Sequence, residues 1–229
     1  MKSAYSRNDD SFDLSIALPK GYLFDTCINV LNEAGYQTGG LFEDTRKLFT
    51  VSPKDRLRYV ISRPMDVPVY VENGACDIGF SGKDVLAELE SDVLELLDLR
   101  NGKCRVITAA HVSCINKVKE KYEHFGSIKI ATKYPNIAKK YFDNKGMQVE
   151  IIKLHGSLEL APVLGIADEI LDITATGKTI EENNLIELEE VLISTTRLIS
   201  NTIAYRLKFN RINYFVNNIK SVVSESGKK

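Results

Sequence analysis

Short apolar runs alternate with helical stretches along most of this chain, and few folds accept that order. The first run, Leu14 to Leu18, leads into Pro19-Lys20-Gly21 and a helical stretch from Tyr22 to Ala34. There Leu23, Cys27, Leu31 and Ala34 recur at helical spacing, and Gly35 stands where a helix-ending glycine belongs. Leu57 to Ile61 reads as a strand. Asp66 is expected to cap a short helix holding Val67, Pro68, Tyr70 and Val71, stopped by Gly74. Cys76 to Asp84 reads as a strand and a Gly-containing loop, with a helix from Val85.

The pattern restarts after Leu99. Arg105 to Ala109, Ile128 to Thr132 and Val149 to Leu154 read as strands, and a helix opened by Pro135 ends at Gly146. Ser157 is expected to cap a helix through Leu164, with Pro162 in its first turns. Val191 to Ile199 reads as a strand, and Tyr205 to Val223 as the longest helix. The expected fold is α/β, two lobes with mainly parallel sheets around a cleft. Lobe I takes residues 1–100 with the returning segment 186–229, and lobe II takes 101–185.

The chemistry concentrates in Ile170 to Ile180, ILDITATGKTI. An apolar strand interrupted by Asp172 runs into a turn of Thr176, Gly177 and Thr179, then a helix start. Amides at such a turn suit a phosphate, Gly177 lets the backbone approach closely, and the hydroxyls add donors. The acid upstream accepts from ribose hydroxyls. Gly177-Lys178-Thr179 suggests a P-loop, but the position where that motif needs its first glycine is Asp172, whose charge opposes a triphosphate. An ordinary strand-to-helix turn with a threonine cap reads the same way. Glu159 and Asp168 are further acids for ribose hydroxyls, directly or through Mg²⁺. Lys20, Arg46 and Arg63 lie at strand ends or in loops near them, which makes them candidate phosphate ligands.

With 229 residues, 44% hydrophobic and 27% charged, the composition is that of an ordinary globular chain. The net charge of −1 gives no support for a nucleic-acid surface. No apolar run reaches the roughly 20 residues that span a bilayer, so no membrane partner is expected, and the polar N-terminus lacks a signal-peptide core. Cys27, Cys76, Cys104 and Cys114 form no C-x-x-C pair, which fits reduced thiols and a cytoplasmic location. His111, His124 and His155 are scattered. No metal site is expected from protein side chains alone.

Three segments together resemble the ATP phosphoribosyltransferase family: RPMDVPVYVENGACDIGFSGKDVL at 63–86, IATKYPNIAKKYF at 130–142 and LHGSLELAPVLGIADEILDITATGKTI at 154–180. The third follows the family signature through Glu159, Gly165, Asp172, Thr176, Gly177 and Thr179, with Ile180 where Leu or Met is usual. The resemblance extends over nearly the whole chain after residue 13. It implies a fold like that of type II periplasmic-binding proteins. It implies transfer of the phosphoribosyl group of phosphoribosyl pyrophosphate to N1 of ATP, opening histidine biosynthesis, with Mg²⁺ bound mainly through substrate. It further implies that Glu159, Asp168, Asp172, Ala175, Thr176, Gly177, Lys178 and Thr179 bind phosphoribosyl pyrophosphate. Arg46 and Lys20 would neutralise the leaving pyrophosphate, and Arg63, Ser81 and Gly82 would contact ATP.

The chain stops soon after its long helix, which resembles the short form of the family. That form implies homodimers within a hetero-oligomer containing a regulatory subunit similar to histidyl-tRNA synthetase, through which histidine exerts feedback. One position departs: the family usually has Lys-Gly-Arg after the first strand, and here Lys20-Gly21 is followed by Tyr22. Two other expectations stay open, a subunit weakened by that loss and a two-lobed binding module without catalysis.

Overall fold

The strand β1 (Leu14–Pro19) is buried at every position, as an apolar strand is when helices cover both faces of its sheet. The computed structural model describes residues 12–39 and 49–226. After β1 come α1 (Tyr22–Glu33), β2 (Phe49–Ser52), β3 (Leu57–Ser62), α2 (Asp66–Glu72), β4 (Ile78–Gly82), α3 (Lys83–Leu89) and β5 (Leu94–Asp98). A second stretch holds β6 (Cys104–His111), α4 (Ile115–Phe125), β7 (Ile128–Thr132), α5 (Pro135–Asn144) and β8 (Val149–Lys153). It continues through α6 (Leu160–Val163), β9 (Glu169–Thr174), α7 (Lys178–Glu182) and β10 (Leu185–Ser194). The chain closes with β11 (Thr196–Ser200), α8 (Thr202–Leu207) and α9 (Phe209–Ser226).

These elements form two units, the second made of Lys103–Ser194 with the last turn of α3, Ala87–Leu89. In the first unit the sheet order is β2-β3-β1-β4-β11-β5. Its even-numbered β1 side chains Leu14, Ile16 and Leu18 pack with Ile28 and Leu31 of α1 and with Ile212, Phe215 and Ile219 of α9. Ala17 faces the other way, toward Val67 and Val71 of α2 and Leu86 of α3. This is the period of two expected of a strand with both faces covered. Gly79 is required by proximity: a Cβ there would lie 2.9 Å from Val71 Cγ2, so α2 can sit close on β4 only over a glycine.

The second sheet has the order β10-β6-β9-β7-β8. One face packs Ile107 and Ile170 against Leu158 just before α6, Ala161 of α6 and Ile180 of α7. The other packs Val106, Ile130, Leu171 and Ile173 against Val118 of α4 and Ile137 and Phe142 of α5. Glu88 stabilises this unit by accepting N–H donors from Asn136 and Ile137 at 3.0 Å, satisfying the open amides of the α5 N-terminus. Among the described residues, no helix is long and apolar enough to cross a membrane.

Both sheets are mixed rather than mainly parallel. β1 pairs parallel with β3 and β4, and β7 parallel with β8 and β9. The edge strand β2 and the returning strands β11 and β10 run antiparallel, as do β5 and β6 to their neighbours. β2 is antiparallel because a tight turn joins it to β3, and β10 and β11 because the chain returns along the second sheet and then the first in the opposite sense. The sequence reading returned the chain at 186, but β10 stays with the second sheet to Ser194, paired with β6 from Leu185↔His111 to Ser194↔Cys104. The expected strand across Val191 to Ile199 is therefore two strands in two sheets, separated at Thr195. The expected long helix is likewise broken at Lys208 into α8 and α9. Asp66 opens α2 as its first residue and Met65 occupies the cap position. Ser157 accepts Leu160 N–H through its carbonyl, and α6 is a single turn that tolerates Pro162.

Asn201 joins the ends of two helices in the first unit. Its side-chain oxygen accepts N–H donors from Ile203 (3.0 Å) and Ala204 (2.8 Å), capping α8. Its amide donates to the carbonyls of Val71 and Glu72 at the end of α2, at 3.0 and 2.9 Å. An Asn201→Ala substitution removes the cap and strands buried carbonyls. The expected loss is about 2–4 kcal/mol of unfolding free energy, read from the urea midpoint.

Candidate active site

In the second unit, β9 lies between β6 and β7, parallel to β7 and antiparallel to β6. Its carboxyl end therefore emerges beside that of β7, where an α/β sheet offers open backbone and side chains to a ligand. Asp172 sits on the face that carries Ile170, three residues from the loop. It is half-buried and its Oδ1 accepts the Ile173 N–H at 2.8 Å. Burial raises its pKa above the ordinary carboxylate value; the Ile173 N–H and the Lys133 ammonium oppose this, and the Glu159 carboxylate adds to it.

The turn after β9 is held by its own small residues. Thr174 Oγ1 accepts the Gly177 N–H at 2.8 Å, and Thr176 Oγ1 accepts the Lys178 N–H at a long 3.4 Å. Gly177 has φ 80°, the left-handed region, and nothing lies within 4 Å of where its Cβ would be. Glycine is needed there for its backbone angle, and that side of the turn is open. Ile180 anchors α7 in the core, while Ala175, Thr176, Lys178 and Thr179 stay exposed. The Lys178 ammonium lies 3.6 Å from Glu182 on the exposed side of α7.

Glu159 occupies the position before α6, half-buried and within electrostatic reach of Asp172. Lys133, at the end of β7, was missed by the sequence reading. Its signal was positional: it follows the strand parallel to β9, so its charge emerges at the same end.

Asp168 does not join this group. It precedes β9, at the end opposite the turn. Both its oxygens accept from Lys121 Nζ, at 2.7 and 2.8 Å, and one also accepts the Lys129 N–H at 2.8 Å. The six residues of β9 separate it from Ala175, seven steps or roughly 23 Å at strand rise, so it serves the fold and cannot reach a sugar at the turn.

In the first unit, three parallel strands bring a second set of expected residues to one end. Pro19 pairs with Ser62, so Lys20 and Arg63 leave β1 and β3 side by side, both exposed. Ser81 and Gly82 end β4, which runs parallel to β1 on its other side. Ser81 is buried, with its hydroxyl directed at the Gly82 carbonyl. Tyr22 is the first residue of α1 and is 65% exposed. Arg46 lies outside the described residues. Among the described residues, no cluster of three or more His, Cys, Asp or Glu side chains could hold a metal by itself.

The family model described as HisG: ATP phosphoribosyltransferase matches residues 63–221. An ATP phosphoribosyltransferase of Halalkalibacterium halodurans is 45% identical over 214 residues, covering 93% of this chain and 98% of that protein. The ATP phosphoribosyl transferase (HisG:HisZ) complex from Thermotoga maritima contains a chain that superposes with a TM-score of 0.78 at 33% identity, covering 93% of this chain and 100% of that one. The arginine-bound protein Tv2483 superposes at 0.61 with 13% identity, covering 94% and 85%, which is a likeness of fold alone. With its signature turn on β9 and these relatives along almost its full length, the chain belongs to the ATP phosphoribosyltransferase family.

Proposed function

We propose that this chain transfers the phosphoribosyl group of phosphoribosyl pyrophosphate to N1 of ATP, releasing pyrophosphate, as the first step of histidine biosynthesis. The observation that carries this reading is Asp172 beside the Thr176-Gly177 turn on β9, in a chain of this family. Adenine N1 has a free lone pair, so attack on C1 of the sugar needs no prior deprotonation. The demands are orientation of the ring and neutralisation of the departing charge.

Each role follows from chemistry at its position. Amides of Ala175 to Thr179 with the hydroxyls of Thr176 and Thr179 bind the 5-phosphate, which replaces the long contact from Lys178 N–H to Thr176. Asp172, as the carboxylate, accepts from ribose hydroxyls; Glu159 assists, and Lys133 supports the ionised form of Asp172. Lys20 and Arg46 neutralise the pyrophosphate, and Arg63 with Ser81-Gly82 contacts the nucleotide. Mg²⁺, when bound with substrate, supplies further charge neutralisation on pyrophosphate oxygens. Glu159 and Asp172 are the carboxylates that would help hold that substrate-bound ion, since the repulsion between them favours a cation. Four free cysteines support a cytosolic setting. A partner related to the HisZ of the Thermotoga maritima complex is part of the proposal, with histidine feedback exerted through it.

The primary test is ultraviolet detection of phosphoribosyl-ATP from purified chain, alone and with that partner. Substrate binding with no product in either condition overturns the assignment. Co-expression with the partner is expected to give one complex on size exclusion; separate elution removes the partner from the reading.

Asp172→Asn is expected to lower kcat/KM by about 10- to 150-fold, the value of a lost charged hydrogen bond. Its pKa is raised in the folded state, so its protonated form favours folding and that contribution is lost as pH rises through the folded value. The neutral asparagine should therefore melt higher than the parent at neutral pH while turning over more slowly. Unchanged turnover and affinity would falsify the role.

Tyr22 motivates a second reading, a subunit slowed by a missing cation. Under it, Tyr22→Arg raises turnover about 10-fold or more; an unchanged rate disposes of it.

A further inference from the structure

The second unit contains a cavity of about 490 Å³ on the face of its sheet opposite Asp172. Its walls are apolar: Val118 and Tyr122 of α4, Ile128 of β7, Met147 and Leu188 of β10. Glu169, the first residue of β9, enters this lining and is only 8% exposed. No described residue donates a hydrogen bond to its carboxyl. Its oxygens face the open side of the cavity, and burial of the rest of the side chain disfavours the charge unless a proton or a cation meets it.

Among the described residues, the charges around it do not supply that cation. Asp168, the residue before it, is already held by Lys121 and the Lys129 N–H. Lys145, just beyond α5, pairs with Glu189 of β10, which also accepts from the Tyr141 hydroxyl. Glu123 of α4 and Glu189 add two more carboxylates to the lining, and among the described side chains no lysine or arginine lines it. Burial, then Asp168, push the Glu169 carboxyl up to about 7, with Lys145 pulling the other way. At neutral pH the group is thus poised for a positive ligand to complete it.

We propose that this cavity is a binding site for a small organic cation, an ammonium or amidinium group on an apolar body, with Glu169 as its counter-ion. The volume lies within the range of small-molecule pockets, about 300–1,000 Å³. The carboxylates reject anions such as the phosphorylated substrates. Glu169 and Asp172 project from opposite faces of β9, so this site is separate from the turn that binds the sugar phosphate. The inference does not rest on the proposed reaction.

The test uses the purified full chain with benzylamine, and benzyl alcohol as its uncharged counterpart, followed by calorimetry and thermal shift. Benzylamine is expected to bind saturably and raise the melting temperature, while the alcohol does neither. Its affinity should rise about tenfold between about pH 6 and about pH 8, as Glu169 ionises. Glu169→Gln should bind at least about tenfold more weakly, with no pH dependence. Leu188→Trp, which fills the cavity, should not bind, and it carries the test if Glu169→Gln fails to fold. Asp172→Asn should bind like the parent. Without ligand, the folded state favours protonated Glu169, so the parent should lose stability relative to Glu169→Gln as pH rises from about 4.3 through about 7. The proposal is overturned if the alcohol binds as well as the amine, if either cavity variant keeps parental affinity, or if the parent shows no saturable binding.

Discussion

The second unit depends on the pairing of one strand. β9 is hydrogen-bonded on both sides, parallel to β7 and antiparallel to β6, and its register decides which of its side chains meet which layer. Ile170 and Asp172 share the face covered by α6 and α7, while Glu169, Leu171 and Ile173 share the face covered by α4 and α5. A slip of one residue would exchange these faces and turn the Asp172 carboxylate toward α4 and α5. Central position therefore does two things for β9: it makes the register hard to slip, and it aims the following turn from a rigid element.

The same strand and the residue before it carry three acids in three electrostatic settings. Asp168 is an ordinary structural partner, satisfied by an ammonium and an amide. Asp172 is half-buried at the open end, where burial and Glu159 oppose its charge while Lys133 and one amide support it. Glu169 is deeper, and among described residues nothing donates to its carboxyl. Residue type is nearly constant across these positions; solvent access and the nearest donor set the behaviour of each.

In the first unit, parallel pairing does comparable work. Aligning Pro19 with Ser62 places Lys20 and Arg63 at one sheet end, and β4 delivers Ser81-Gly82 there too. The returning segment stabilises this sheet from behind. Lys208 Nζ reaches Asp77 at 2.9 Å, the same carboxylate that accepts Ser15 N–H at 2.8 Å, and Asn201 ties α8 to α2. Residues far apart in the chain thus fix the amino ends of β1 and β4, opposite the ends that carry the charged side chains.

Much of this was legible from residue order. Apolar periodicity located β1, α1, β3, β7 and α5, and the turn at Thr176-Gly177 declared itself through a glycine that the structure holds at positive φ. The family signature contains both Glu159 and Asp172, which the structure brings within electrostatic reach of each other. What sequence alone determined was local: element type, the special backbone angle, and the chemistry of the turn, since these depend on residues within a few positions of each other. Only the tertiary structure decided strand direction, the crossing at Thr195, the diversion of Asp168 to Lys121, and the gathering of Lys133 beside Asp172. Those outcomes depend on pairing between distant segments, and a carboxylate's role is set by the donors that such pairing brings to it.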